Sequence, residues 1–429
     1  MLKSHIFTRL GSLAAILVLA AGINAADAPA GASDATTLSA ADMALIDKNM
    51  NAEDKAAFKK AMLQYYQGLN GKAPDQMQGL QVAYKAAKQS QEARGVGKAP
   101  KELQIGQIRT VVSCGASSDQ LSKPQVPKYL AVSPSNALHW IVGRQVVRLN
   151  ADGSQTVVAG ISEDGPVGDG GPAVNARLTM PSAIAFAPNG DLYIADQGAH
   201  CIRKVQASDG VISTCAGDGT IGGAGNHPDD GGPAIKAKLG GPSDLRVDTK
   251  GNIYVLHQSL IRKIDAATGN ISTVMEGASS KFALDVKADI LSPGNRISRY
   301  IITSQKDETI AGARVDGYGG DGKAGDQVRF KESDSVVVDA NGDIYVADTG
   351  NNRIRKISGT DGIVSTVVGS TTPVGNEAVG GKPPKGYSGD GGPANSALLD
   401  SPESVALDGI GNLYFIDRGN KVIRMVKLH

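Results

Sequence analysis

Three stretches of this 429-residue chain can be laid over one another almost without gaps, and no other feature narrows the fold as far. They are PSAIAFAPNGDLYIADQGAHCIRKVQASDGVISTCAG (Pro181 to Gly217), PSDLRVDTKGNIYVLHQSLIRKIDAATGNISTVMEG (Pro242 to Gly277) and SDSVVVDANGDIYVADTGNNRIRKISGTDGIVSTVVG (Ser333 to Gly369). Each has a Gly-Asp or Gly-Asn turn, a Leu/Ile-Tyr-Ile/Val strand, an Ile-Arg-Lys strand and a closing strand of the Ile/Val-Ser-Thr type. Four short strands in about 37 residues make one blade of a propeller.

The same register finds weaker copies at Pro127 to Gly160, Lys281 to Gly312 and Pro402 to His429. That makes six blades, the last of which stops after its third strand. Just before the first blade lies GQIRTVVSCG (Gly106 to Gly115), which reads as an orphan fourth strand. An unpaired strand edge invites aggregation. Pairing residues 107–112 with the third strand of the last blade would close the ring. The expected fold is therefore all-β, a six-bladed β-propeller over residues 105–429 closed by an N-terminal strand.

YIADQGAHCIRKV, YVADTGNNRIRKI and the GDGGPA loops resemble the NHL repeat family, in the version common among exported bacterial proteins. The resemblance covers about three-quarters of the chain. It implies the fold and leaves function open, since propellers host binding modules and enzymes alike.

Residues 1–25 read as a secretory signal, with Lys3 and Arg9 before an apolar run from Gly11 to Gly22 and a cleavage site at Ile23-Asn24-Ala25. The run is shorter than the roughly 20 residues that span a bilayer, and no later stretch is apolar enough to cross one. Periplasmic or secreted localisation is expected. Without the signal, 42 basic side chains face 43 acidic ones, which excludes a nucleic-acid footprint. Residues 26–38 read as a flexible linker and 39–95 as a small helical extension, with Ser39 and Asp42 resembling a capping box.

The candidate site residues follow from the repeat. Asp169, Asp230 and Asp390 each head a Gly-Gly-Pro-Ala loop, with a looser copy at Asp321. Such carboxylates at one mouth are able to hold Ca²⁺, but no loop alone has ligands at EF-hand-like spacing. Turn-and-cap architecture is the stronger reading. Arg203, Arg262, Arg355 and Arg424 recur at one strand position, where pairing with repeat carboxylates is the expected use. Asp196, Asp348 and Asp417 end their second strands, a turn-stabilising position that His257 takes in one blade.

The mouth where the inner strands begin is the place for a ligand. Lys128, Ser182, Ser243, Ser280, Asp334 and Glu403 share one alignment column there, and Asp244 and Lys281 lie in the next. The column that follows is small, Ala131, Ala185, Ala283, Val337 and Ala406, except for Arg246. Asp244, Arg246, Asp334, Glu403 and the odd His257 are thus the expected ligand-binding set.

No Ser-His-Asp order, P-loop or metalloprotease helix is present. An exported binding scaffold for a protein, peptide or small ligand is favoured over a metal-dependent (Ca or Zn) hydrolase or lyase at the axial mouth. Aromatic content of 4%, with Trp140 the single tryptophan, argues against a stacking carbohydrate site. A disulfide between Cys201 and Cys215 is expected from pairing Val205 with Val211 across their hairpin, which sets the two cysteines opposite each other. Cys114 is left free.

Overall fold

The computed structural model describes residues 103–113, 126–162, 168–222, 229–278, 281–313, 317–371 and 384–429. The signal, linker and helical segments expected over residues 1–95, and Cys114, lie outside these residues. Six four-stranded antiparallel sheets make up the described chain. Blade 1 holds β2 (Leu130–Val132), β3 (Leu138–Val142), β4 (Gln145–Leu149) and β5 (Gln155–Ala159). Blade 2 holds β6 (Pro181–Phe186), β7 (Leu192–Asp196), β8 (Cys201–Val205) and β9 (Ile212–Ala216). In blade 3 come β10 (Asp244–Val247), β11 (Ile253–His257), β12 (Leu260–Ile264) and β13 (Ile271–Glu276).

Blade 4, the degenerate copy, is built from β14 (Ala283–Leu284), β15 (Ile290–Ser292), β16 (Ile297–Ile301) and β17 (Lys306–Ala311). Blade 5 has β18 (Ser335–Val338), β19 (Ile344–Asp348), β20 (Arg353–Ile357) and β21 (Val364–Val368). Blade 6 supplies only β22 (Pro402–Leu407), β23 (Asn412–Asp417) and β24 (Val422–Lys427) from the C-terminal end. Its fourth strand is β1 (Ile108–Ser113), paired antiparallel with β24 from Ile108 opposite Val426 to Ser113 opposite Val422. The closing strand therefore forms as the sequence implies.

The core lies between blades. Alternation along each inner strand sends Ile184, Leu245, Val336 and Val405 into the neighbouring sheet, all buried. Each Gly-Gly-Pro-Ala loop adds a single 3-10 turn whose Ala176 and Leu178, Ala237 and Leu239, or Ala397 and Leu399 are fully buried. Burying one such leucine contributes roughly 1.5–3 kcal/mol, enough to anchor a loop of this size.

One feature repeats in all six blades and is not written in any single residue. The fourth strand carries a β-bulge, which leaves Val158, Cys215, Val274, Ile310, Val367 and Val111 without a partner across the ladder. The observed pairing, shifted by one residue from the hairpin onward and then bulged, corrects the register expected for the two cysteines. Val205 pairs with Ile212, not Val211, and Ile202 pairs with Ala216, so Cys215 falls in the bulge and not opposite Cys201. Both carry free thiols. Burial pushes each thiol up to about 12, which keeps them protonated.

Candidate functional site

The bulge frees the amide of the residue before it, and the inter-blade loop recovers that amide. The Thr214 amide donates to Asp169 (2.9 Å), that of Thr273 to Asp230 (2.8 Å) and that of Thr110 to Asp390 (2.9 Å). In blade 5 the Thr366 hydroxyl donates to Asp321 (2.6 Å). Each carboxylate also accepts from the buried arginine on the third strand. Arg203 holds Asp169, Arg262 holds Asp230, Arg355 holds Asp321 at 2.5 Å and Arg424 holds Asp390 at 2.6 Å. Burial raises Asp169, Asp230 and Asp390, but the threonine hydrogen bonds and the guanidinium outweigh it, so all three sit below the usual carboxylate range.

The structure places Asp169, Asp230 and Asp390 in these clamps, the turn-and-cap use weighed against Ca²⁺ binding. Each carboxylate already spends its oxygens on an amide and a guanidinium, and an adjacent fixed cation repels a metal ion. Among the described residues no group of three or more His, Cys, Asp or Glu is arranged to hold a metal.

His257 belongs to the same architecture. Asp196 accepts the amides of Thr179 and Met180, Asp348 that of Lys331, and Asp417 that of Asp400. At the equivalent place the His257 Nδ1 accepts the Gly240 amide at 3.4 Å, and the ring is buried away from the axis. Losing that carboxylate leaves Arg262 one anion short, and Asp229 replaces it at 3.1 Å. Glu403 also leaves the expected set, since it pairs with exposed Arg418 at 2.8 Å.

Asp244, Arg246 and Asp334 do converge at the mouth. Asp244 is fully buried and accepts the amides of Leu245 and Phe282, both at 2.9 Å. It also accepts from the Tyr129 hydroxyl and from Arg246 Nη1, the latter at 2.6 Å. Tyr129 starts blade 1 and Asp244 starts blade 3, so this bond passes the start of blade 2, where the equivalent residue is only Ala183. The small side chain leaves the room. Arg246 donates to the Tyr129 oxygen as well and stacks its guanidinium over the rings of Tyr129 (5.5 Å) and Phe282 (5.3 Å). Burial pushes the Asp244 carboxyl up to about 8, against the pull of the Phe282 amide, the Lys281 charge and the Leu245 amide.

A second half of the network ties the remaining blades. Lys281 pairs with Asp334 at 2.6 Å, Asp334 accepts the Ser404 amide at 3.3 Å, and the Ser404 hydroxyl accepts the Leu130 amide at 2.9 Å. The polar column at the strand starts therefore interlocks the blades around the axis.

Below it runs a channel of about 220 Å³, lined by inner-strand residues of all six blades and by Arg246. A larger cleft of about 810 Å³ opens where the turns of blades 3, 4 and 5 meet. Val247, Leu284 and Val338 line both spaces, so the channel and the cleft share a wall at the ends of the inner strands. Sequence reasoning missed the cleft. Its one trace is the shortness of blade 4, whose inner strand is only Ala283–Leu284.

Comparison with known proteins agrees with this architecture. The NHL repeat family matches residues 178–205 and 334–357. The chain is 27% identical over 310 residues to Teneurin-4 of Homo sapiens, covering 70% of this chain and 10% of the relative. It is 29% identical over 283 residues to Teneurin-3 of Mus musculus, covering 63% and 9%. The chain thus spans about a tenth of the length of the curated relatives it matches. Among solved structures, an auxiliary nutrient binding protein from Bacteroides thetaiotaomicron superposes with a TM-score of 0.50 at 14% identity, covering 74% of this chain and 75% of that one.

Proposed function

We propose that this chain, an NHL-repeat β-propeller, is an exported, non-enzymatic binding scaffold whose ligand occupies the axial channel and contacts Arg246. One observation carries the reading. In a column of small apolar side chains lining the channel, a single position holds a guanidinium, and an elaborate set of bonds from three blades keeps it there. Keeping a charge out of bulk water costs stability, and two of the guanidinium nitrogens, Nε and Nη2, serve no bond among the described residues. The structural neighbour from Bacteroides thetaiotaomicron is itself named a nutrient binding protein, and the same fold serves a comparable use here.

Native mass spectrometry of the full protein purified without denaturant from its own exported fraction tests this. The expected result is one small non-covalent ligand per chain, lost when Ala185→Phe fills the channel. A stoichiometric calcium or zinc whose removal abolishes a hydrolytic or lyase activity would overturn the reading in favour of an enzyme. Sequencing the N-terminus of the exported protein tests cleavage after residue 25.

A further inference from the structure

The guanidinium of Arg246 is only half used. Its Nη1 donates to the Tyr129 oxygen, to Asp244 Oδ1 (2.6 Å) and to the Leu245 carbonyl (2.8 Å). Among the described residues, Nε and Nη2 donate to nothing. The side chain keeps 21% of its surface exposed and lines the channel, so this free edge is the part a ligand can reach. Asp244, in turn, is largely engaged, with three donors on Oδ1 and one on Oδ2. Its two oxygens already take Leu245, Tyr129, Arg246 and Phe282.

From this geometry, and resting on the binding reading above, we infer that the channel takes a small monocarboxylate with an apolar tail. The Nε–Nη2 edge of arginine presents two parallel N–H donors, the fork that matches both oxygens of a carboxylate. The side chains of Ala131, Ala185, Ala283, Val337 and Ala406 around it are apolar and suit a hydrocarbon tail, and the hydroxyls of Ser335 and Ser404, also in the lining, already take the Val405 and Leu130 amides. A volume of about 220 Å³ admits a tail of a few carbons and excludes a polymer. The ligand enters from the end that the channel shares with the cleft, because the strand-start end is bridged by Tyr129, Asp244 and Arg246.

Isothermal titration of the full protein with sodium hexanoate and with hexanamide tests the assignment. The two probes share a tail and differ in the charged fork partner. Hexanoate is expected to bind one per chain and at least tenfold more tightly than hexanamide. Arg246→Gln should reduce hexanoate affinity at least tenfold and erase the preference. Because loss of Arg246 also strips Asp244 of a partner at the mouth, Val337→Phe serves as a second variant. It leaves the fork intact, fills the channel, and should abolish hexanoate binding with the unfolding midpoint retained. Equal affinity for acid and amide, no binding of hexanoate, or undiminished binding in a folded Val337→Phe protein would each overturn the assignment. If native mass spectrometry still shows a channel ligand, the carboxylate inference falls alone and the scaffold stands.

Discussion

Blades 2, 3, 5 and 6 are held by a clamp between a third-strand arginine and an inter-blade loop aspartate. Among the described residues blades 1 and 4 carry none, and in blade 4 Arg299 pairs with Asp285 of its own first turn. The residue that follows the bulge pairing is Arg203, Arg262, Arg355 or Arg424 in the first group, but Val147 in blade 1 and Ser298 in blade 4. The two absences coincide with the loops. No Asp-Gly sequence precedes blade 1 after Cys114, and the connection from blade 3 to blade 4 is too short to carry such a loop. A guanidinium is tolerated at this buried position only where a loop carboxylate reaches it. The unclamped blades are also the ones that supply Tyr129, Lys281 and Phe282 to the axial cluster. The clamp recurs in four blades, and the axial cluster draws on the two blades without it as well as on Asp244 and Arg246 of blade 3.

The comparison breaks most visibly in the closing blade. Arg424→Met leaves fully buried Asp417 and half-buried Asp390 without their common partner, and the Asp390 carboxylate adds a bond from Thr110 to the ladder that holds β1 in the ring. Chemical denaturation of the full chain should show a loss of about 3–5 kcal/mol, the usual cost of breaking a buried pair on one side. A loss below 1 kcal/mol would mean that the clamp is ornamental.

Blade 1, which lacks a clamp, relies on buried neutral groups and should be the acid-sensitive one. Burial lowers His139 to about 4, with the Ala137 carbonyl (2.9 Å) pulling the other way and Arg148 adding to the fall. The unfolded chain takes up this proton near pH 6.5 and the folded chain only near 4. Stability supplied by the neutral ring is thus complete above pH 6.5 and lost as the pH falls toward 4, by up to about 3 kcal/mol. Unfolding midpoints followed from pH 7 to 4 should lose this component in His139→Phe.

Blade 3 allows a finer test, because its second carboxylate has moved from the strand end to the loop. Asp229→Gly should destabilise the protein, and adding His257→Asp should recover most of the loss. The double-mutant cycle is expected to give a coupling of about 1–2 kcal/mol. Additivity within error would show that Arg262 does not need two anions.

The smallest effect belongs to blade 4. Ser298→Ala occupies the clamp position of a blade with no clamp, and should change stability by about 0.5 kcal/mol or less. The same denaturation assay used for Arg424→Met measures it, so the contrast between the two substitutions is direct.

Much of this was legible in the chain itself. Repetition at fixed spacing located the blades, because each repeat must place the same side chains on the same face of a sheet. The missing last strand and the orphan strand at residues 108–113 implied each other for the same reason. Arg246 was legible as the one exception in a small-residue column, and Asp244 and Asp334 as polar residues at strand starts. Glu403 and His257 looked equivalent by position but are turned to Arg418 and Gly240, which alignment columns cannot show.

What the sequence determined by itself is the number of blades, the closing strand and the pairing of recurrent arginines with recurrent carboxylates, since each follows from period and charge. What only the tertiary structure decided is where those groups spend their hydrogen bonds. The hairpin register put Cys215 out of line with Cys201, and the bulge in every fourth strand released the amides that capture Asp169, Asp230 and Asp390. Ala183 left room for Tyr129 to reach Asp244 across blade 2. Such outcomes depend on contacts between residues tens to hundreds of positions apart, and no local pattern encodes them.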